Sequence, residues 1–358
     1  MHRINTLIER LHASGIDALF IASEANISYL TGFTGDSSRL IVSSNGTYFL
    51  TDGRYTEQAE QECHGEIEIL KWLNDNRYGT ETYHYVSEKL NIRRMGFEED
   101  ILTFHEFTAL KGGINQGEAI AVSGLVEGLR MVKDESEITW LKEACRITDL
   151  ALEKLIPTIK PEVTELELSA RLEYELKMAG SEGISFDTIV LFGSRTSLLH
   201  GKPGSSRLKQ GDLILFDFGG MKGGYHADMS RTFVMGKATE EQKDLYHAIK
   251  RAQESAVAST IPGVPGKHPD SVAREALGDK YLVHYYPGLG HGVGLEIHEQ
   301  PFLKHTCETM LEKGMTVTVE PGCYIPGWGG IRIEDTIVVR DHAPEVLTAF
   351  RKDLVELR

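Results

Sequence analysis

Residues 213–235 read LILFDFGGMKGGYHADMSRTFVM, and their pattern decides the architecture of the larger part of the chain. In LILFDF the side chains of Leu213, Leu215 and Asp217 share one face of a strand, because successive side chains alternate. A carboxylate on an apolar face is costly unless something pairs with it. The glycine-rich MKGG that follows is a turn, and the segment after it reads as the returning strand of a hairpin bearing Asp228. Two antiparallel strands would bring both acids to one place. Further on, VTVEPG ends a strand at Glu320, and IRIEDT sets Arg332 and Glu334 on one face with Ile331 and Ile333 on the other.

Helices surround these strands. Asp134 and Glu137 form a capping box ahead of a helix with Ile138, Leu141, Cys145, Thr148, Leu152 and Leu155 on one face, stopped by Pro157. Thr164 and Glu167 start a second helix, ended by Gly180, and Thr239 and Gln242 a third that runs to Pro262-Gly263. Helices grouped against hairpin-forming strands predict an α+β domain with an antiparallel sheet over 127–358. Residues 1–126 read differently. Ile4, Leu7, Ile8 and Leu11 make a helix closed by Gly15, and DALFIA, RLIVSS and TYFLTD are strands, the last two joined by a turn at Asn45-Gly46. No ligand-type cluster appears there. His105-Glu106 begins an H-E-x-x-H pattern, but Ala109 stands where the second histidine belongs.

With 358 residues, 41% hydrophobic and 25% charged, the chain has the composition of an ordinary globular protein. A net charge of −15 excludes a general binder of nucleic acid or anionic membrane, since both need a basic footprint. Cys63, Cys145, Cys307 and Cys323 form no C-x-x-C pair, which argues for a reducing compartment. The opening MHRINTLIERLHASG is amphipathic rather than a signal peptide, and no long apolar run offers a membrane span. The expectation is a cytoplasmic protein.

Asp217, Asp228, Glu320 and Glu334 cannot all stay ionised together without counter-charge. Two divalent cations would balance four negative charges. Residues 290–301, GHGVGLEIHEQP, add His291 and His298 among glycines. One imidazole beside oxygen ligands suits manganese, iron, cobalt or zinc better than calcium. The glycines imitate a nucleotide-binding loop, but such a loop opens a helix, whereas LEIHEQP runs in strand character into Pro301.

GHGVGLEIHEQP resembles the signature of the pita-bread metallopeptidases, the family of prolidase, aminopeptidase P and methionine aminopeptidase. FDTIV, HGKP, Asp217 with Asp228, the GHG segment, VEPG and RIEDT follow in the family's order through 127–358. The first 126 residues resemble the N-terminal creatinase/prolidase-type α/β domain of prolidases and aminopeptidases P. The resemblance implies two domains, 1–126 and 127–358, the second with a curved antiparallel sheet.

It further implies Asp217, Asp228, His291, Glu320 and Glu334 as ligands of two divalent ions, manganese by preference, with cobalt, iron or zinc as alternatives. His200 and His298 would contact substrate and polarise the scissile bond, Glu320 would also move a proton, and Arg332 matches the arginine of the Xaa-Pro branch. The glycines around His291 would let the backbone approach the metals. The implied activity is hydrolysis of the Xaa-Pro bond in small peptides by a homodimer. Dipeptides are the expected substrates, and an aminopeptidase P acting on longer peptides is the alternative. A metal-free binding module of the same fold is disfavoured by the intact ligand set. Leu199 stands where the family carries a proline, and Pro287 where a further histidine is common; both bear on substrate preference. His226 and Tyr324 are placed near the site with packing roles equally open.

Overall fold

The computed structural model describes residues 2–115 and 117–358, which divide after Arg130 into two compact units. In the first unit, β1 (Ala18–Ile21), β2 (Arg39–Ser43), β3 (Gly46–Thr51), β4 (Glu68–Lys71), β5 (Arg94–Glu98) and β6 (Glu118–Val122) form a six-stranded sheet in the order β4-β3-β2-β1-β5-β6. The β1–β2 and β2–β3 pairs are antiparallel, and the others are parallel. The first helix, α1 (His2–Ala13), buries Ile4, Leu7 and Leu11, and Gly15 supplies the left-handed φ of 64° that ends it. The β2–β3 turn is centred on Ser44-Asn45 rather than Asn45-Gly46, since Gly46 already pairs with Ser43. The Asn45 side chain donates to Leu90 O, 2.8 Å away, and that contact sets the turn. Glu106 makes a buried ion pair with Arg39 at 2.6 Å, so the incomplete H-E-x-x-H pattern is structural.

The second unit opens on α7 (Glu135–Leu155) and α8 (Glu165–Met178), which follow the shorter helices α2 (Glu24–Thr31), α3 (Thr56–Glu62), α4 (Thr80–Lys89), α5 (Phe104–Gly113) and α6 (Glu127–Arg130). The expected capping boxes are present at Asp134/Glu137, Thr164/Glu167 and, for α9 (Glu240–Ser259), Thr239/Gln242. Helix α10 (Lys267–Leu282) packs on α9.

Strands β7 (Ile189–Phe192), β8 (Leu213–Phe218), β9 (Met221–Lys222), β10 (Tyr225–His226) and β11 (Met229–Met235) come first; β12 (Gly290–Gly292), β13 (Glu299–Leu303), β14 (Thr316–Val319), β15 (Gly322–Ile325), β16 (Gly329–Arg332), β17 (Asp335–Val338), β18 (Glu345–Val346) and β19 (Glu356–Leu357) follow. They form a four-stranded sheet, β19-β11-β8-β7, and a five-stranded sheet, β13-β12-β14-β17-β18, with the ribbons β15-β16 and β9-β10. All pairs but β11–β19 are antiparallel, as expected for this unit.

Alternation along β8 divides its residues. Ile214, Phe216 and Phe218 pack with Leu168, Leu172 and Leu176 of α8 and Ile147 and Leu152 of α7. Each such buried side chain stabilises by about 1.5–3 kcal/mol. The other edge of the alternation frees Asp217 to face away from this core. Two local expectations differ from the structure. Asp228 stands one residue before β11, and the residue opposite Asp217 is Ser230. The hairpin closes tightly here: a Cβ on Gly219 would lie 1.7 Å from Ala227 O, so only glycine fits. IRIEDT is not one strand either. Its first part pairs with β15 and its last with β14, and Ile333-Glu334 is the step between the two sheets.

Candidate metal centre and its cavity

Strands and the steps between them deliver the acids and the imidazole to one spot. Asp217 comes from β8, Asp228 from the approach to β11, His291 from the middle of β12, Glu320 from the end of β14 and Glu334 from the step between β16 and β17. Ligand atoms of Asp228, His291 and Glu334 lie within 4.8 Å of one another. His291 Nε2 is 3.3 Å from Glu320 Oε1 and 3.6 Å from Asp228 Oδ2. Its Nδ1 lies 3.0 Å from Gly292 O, a carbonyl that can only accept, so Nδ1 carries the hydrogen and Nε2 is turned toward the acids.

The glycines beside His291 serve packing between strands. A Cβ on Gly290 would meet Thr318 O at 2.1 Å, and one on Gly292 would meet Gln300 O at 2.3 Å. Strand β12 is squeezed between β13 and β14, so strand packing by itself already requires both glycines.

Hydroxyls and a guanidinium orient the acids. Arg332 is buried, and all three of its nitrogens are engaged: Nη2 with Asp217 Oδ2, Nε with Ser230 Oγ at 2.6 Å and Nη1 with Tyr324 Oη at 2.8 Å. Ser230 donates to Glu334 Oε2 at 2.7 Å, and Thr318 donates to Glu320 Oε1 at 3.0 Å. Arg332 thus holds Asp217, Ser230 and Tyr324 together while also lining the cavity. Asp228 Oδ1 and Glu334 Oε1, both buried, have no hydrogen-bond partner among the described residues.

These contacts leave the acids in unequal states. Burial, then the neighbouring Glu334 and Asp217, pushes the Asp228 carboxyl well above the usual carboxylate range. Burial and the charge of Glu320 do the same to Glu334. Asp217 is raised by burial against the pull of Arg332. Glu320 goes the other way. Burial opposes its charge, yet the hydrogen bond and charge of His291 and the charge of Arg332 hold it below the ordinary value. Burial opposes the imidazolium of His291, but Glu320 outweighs this and raises it. Burial pushes the Tyr324 phenol up to about 12.

A cavity of about 840 Å³ opens onto the cluster and is lined by Asp217, Asp228, His291, Glu320, Arg332 and Tyr324, with His200 and His298 on its wall. The His298 ring lies 4.4 Å from that of His291 and is tilted by 68°. His200 sits on the irregular loop after a 3₁₀ turn at Gly193–Ser197. Leu199 and Pro287 also line the cavity, whereas His226 does not; its Nδ1 faces Ser185 O at 3.2 Å. Sequence reasoning passed over Ser230 and Thr318. Each lies two residues from an acid of the cluster, Ser230 from Asp228 and Thr318 from Glu320, and shared strand faces at that spacing were the signal available.

The cluster fits a divalent cation. Two buried carboxylate oxygens without a donor, beside an imidazole nitrogen turned toward them, are hard ligands lacking a positive partner.

Comparison with known proteins agrees with this chemistry. Residues 3–132 match the creatinase/prolidase N-terminal domain, and residues 139–341 match metallopeptidase family M24. The chain is 34% identical over 356 residues to the Xaa-Pro dipeptidase of Pyrococcus horikoshii, covering 99% of this chain and 98% of that one. Among solved structures, an Xaa-Pro dipeptidase from Bacillus anthracis superposes with a TM-score of 0.96 at 38% identity, covering 100% of this chain and 99% of the other. An X-Pro aminopeptidase from Thermotoga maritima gives a TM-score of 0.89 at 35% identity, covering 97% and 99%. The protein belongs to metallopeptidase family M24, with the two-domain architecture of the prolidases.

Proposed function

We propose that this enzyme hydrolyses the Xaa-Pro peptide bond, with Xaa-Pro dipeptides as its preferred substrates and two divalent ions, manganese by preference, held by Asp217, Asp228, His291, Glu320 and Glu334. The observation that carries the metal assignment is the pair of buried, donorless oxygens on Asp228 and Glu334. Support for the bond cleaved comes from relatives over nearly the whole chain, whose names specify Xaa-Pro substrates.

Bound at this cluster, the ions would supply a Lewis acid for the peptide carbonyl and lower the pKa of a coordinated water. Glu320, held in its ionised form by His291 and Arg332, accepts a proton at its carboxylate and passes it to the leaving proline nitrogen. His298 and His200 donate hydrogen bonds to the carbonyl oxygen as negative charge develops there, each stabilising by about 3 kcal/mol. Arg332 holds Asp217 in place through its contacts to Ser230 and Tyr324. Residues 127–358 carry this chemistry, and the N-terminal domain 1–126 supports a cytoplasmic homodimer, a state that light scattering of the purified protein checks.

A second reading, aminopeptidase P, is favoured by the similarity to the Thermotoga maritima X-Pro aminopeptidase and by the size of the cavity. The cavity, at about 840 Å³, lies toward the upper end of the range for ligand pockets, which leaves room for a longer peptide. Side-by-side kcat/KM values for Leu-Pro, Ala-Pro-Ala and Ala-Ala decide. Preference for Leu-Pro supports the dipeptidase, preference for the tripeptide supports the alternative, and faster cleavage of Ala-Ala overturns both.

A further inference from the structure

His200 stands on a stretch, residues 198–206, that has neither helix nor strand of its own. A side chain meant to meet a reacting carbonyl needs a fixed origin, because a displacement of about 1 Å costs on the order of a hundredfold in rate. One buried side chain ties both stems of this loop together, and it belongs to a different element. Glu165, the first residue of α8, is fully buried. Its Oε1 accepts from Phe192 N at 2.9 Å and from Arg195 Nε at 2.9 Å, both before His200. Its Oε2 accepts from Gly204 N at 2.9 Å, after His200. Arg195 extends the clasp, donating from Nη2 to Lys202 O at 2.8 Å. The loop's carbonyls return the contact: Glu165 N donates to Ser206 O and Leu166 N to Gly204 O, each at 3.1 Å.

This carboxylate is surplus to starting the helix. Thr164 and Glu167 already cap α8 reciprocally. A carboxylate without exposure needs hydrogen bonds to offset its lost hydration, and those at Glu165 come from the segments on either side of His200: Phe192 and Arg195 before it and Gly204 after it. Both oxygens act purely as acceptors, so an amide in their place would turn an NH2 group toward an N–H.

We propose that Glu165 is a positioning residue that holds the His200 loop in its working geometry. The proposal rests on the substrate-contacting role given to His200 above. The test is a double-mutant cycle on the metal-loaded enzyme with Leu-Pro as substrate. E165Q lowers kcat by about tenfold and H200A by about a hundredfold, each with metal content unchanged, and E165Q/H200A is no slower than H200A alone. The control is E167A, which removes the Glu167 half of the α8 capping box and lowers Tm while leaving kcat within twofold of the parent. A variant that merely destabilised the fold would behave like this control. R195M, at a partly exposed position, weakens the same clasp and lowers kcat even where E165Q fails to fold.

The proposal is overturned alone if E165Q and R195M keep kcat within twofold, or if E165Q costs the same factor with and without His200. If H200A itself turns over normally, or the parent enzyme does not cleave Leu-Pro, the functional reading falls and the proposal falls with it.

Discussion

Glu334 and Asp335 are neighbours in the chain, both are buried, and they have opposite surroundings. Asp335 sits in a knot of donors. Arg231 Nη2 reaches its Oδ1 at 2.8 Å, Lys352 Nζ reaches Oδ2 at 2.5 Å, and Gln253 and Thr348 add bonds at 2.9 Å each. Glu334 has Ser230 on one oxygen and nothing on the other. The same alternation separates Ser230 from Arg231 on β11, sending the serine to the cavity side and the arginine to the knot. On one side of β11 an acid is neutralised by protein cations, and on the other side acids collect and two of their oxygens have no donor among the described residues. The difference separates an acid whose counter-charge lies within the fold from one for which the proposed metal would supply it.

The largest expected effect is on catalysis. Glu334→Gln should lose metal and at least about 10³-fold in kcat/KM, because several kcal/mol of transition-state stabilisation leave with the ions. Elemental analysis alongside Leu-Pro kinetics checks it; a variant that keeps its metal breaks the contrast. Asp335→Asn should act on the fold instead, costing about 3–5 kcal/mol because Arg231 and Lys352 are left without their counter-charge. Denaturant unfolding of the metal-free protein measures this, and an Asp335→Asn protein of unchanged midpoint would show the knot to be dispensable.

Next comes His298→Ala, expected to retain both ions and lose about a hundredfold in kcat, since its role is to donate to the developing oxyanion. Normal turnover of Leu-Pro by that variant removes His298 from the mechanism. The smallest effect has the opposite sign. In metal-free protein, Glu334→Gln should raise stability by about 1 kcal/mol, since a buried acid crowded by other carboxylates becomes neutral. A lowered Tm would mean that Glu334, like Asp335, is satisfied by the protein itself.

Much of this architecture was legible in the chain. The capping boxes at Asp134, Thr164 and Thr239 were local patterns, and each starts the helix expected of it. Asp217 could be picked out because an ionisable group on an apolar strand face conflicts with its surroundings, whereas Asp228, Glu320 and Glu334 were singled out as ligands through the resemblance to the family. The knot could not. Arg231 and Asp335 meet across 104 residues, and a strand arginine beside Ser230 looks like a surface charge until β17 is laid next to it. Arg332 was legible as important but not as occupied, since its partners Asp217, Ser230 and Tyr324 come from three other strands or their ends. Glu165 was hidden because a carboxylate in the first turn of a helix already has an ordinary explanation in the helix dipole.

The most direct test of the central claim is metal stoichiometry followed through chelation and re-addition, with Leu-Pro hydrolysis measured at each stage. The account predicts about two divalent ions per chain, one for each pair of the four acids, with activity that disappears on exhaustive chelation and returns when manganese is restored. Full Leu-Pro hydrolysis by protein stripped of metal would contradict it.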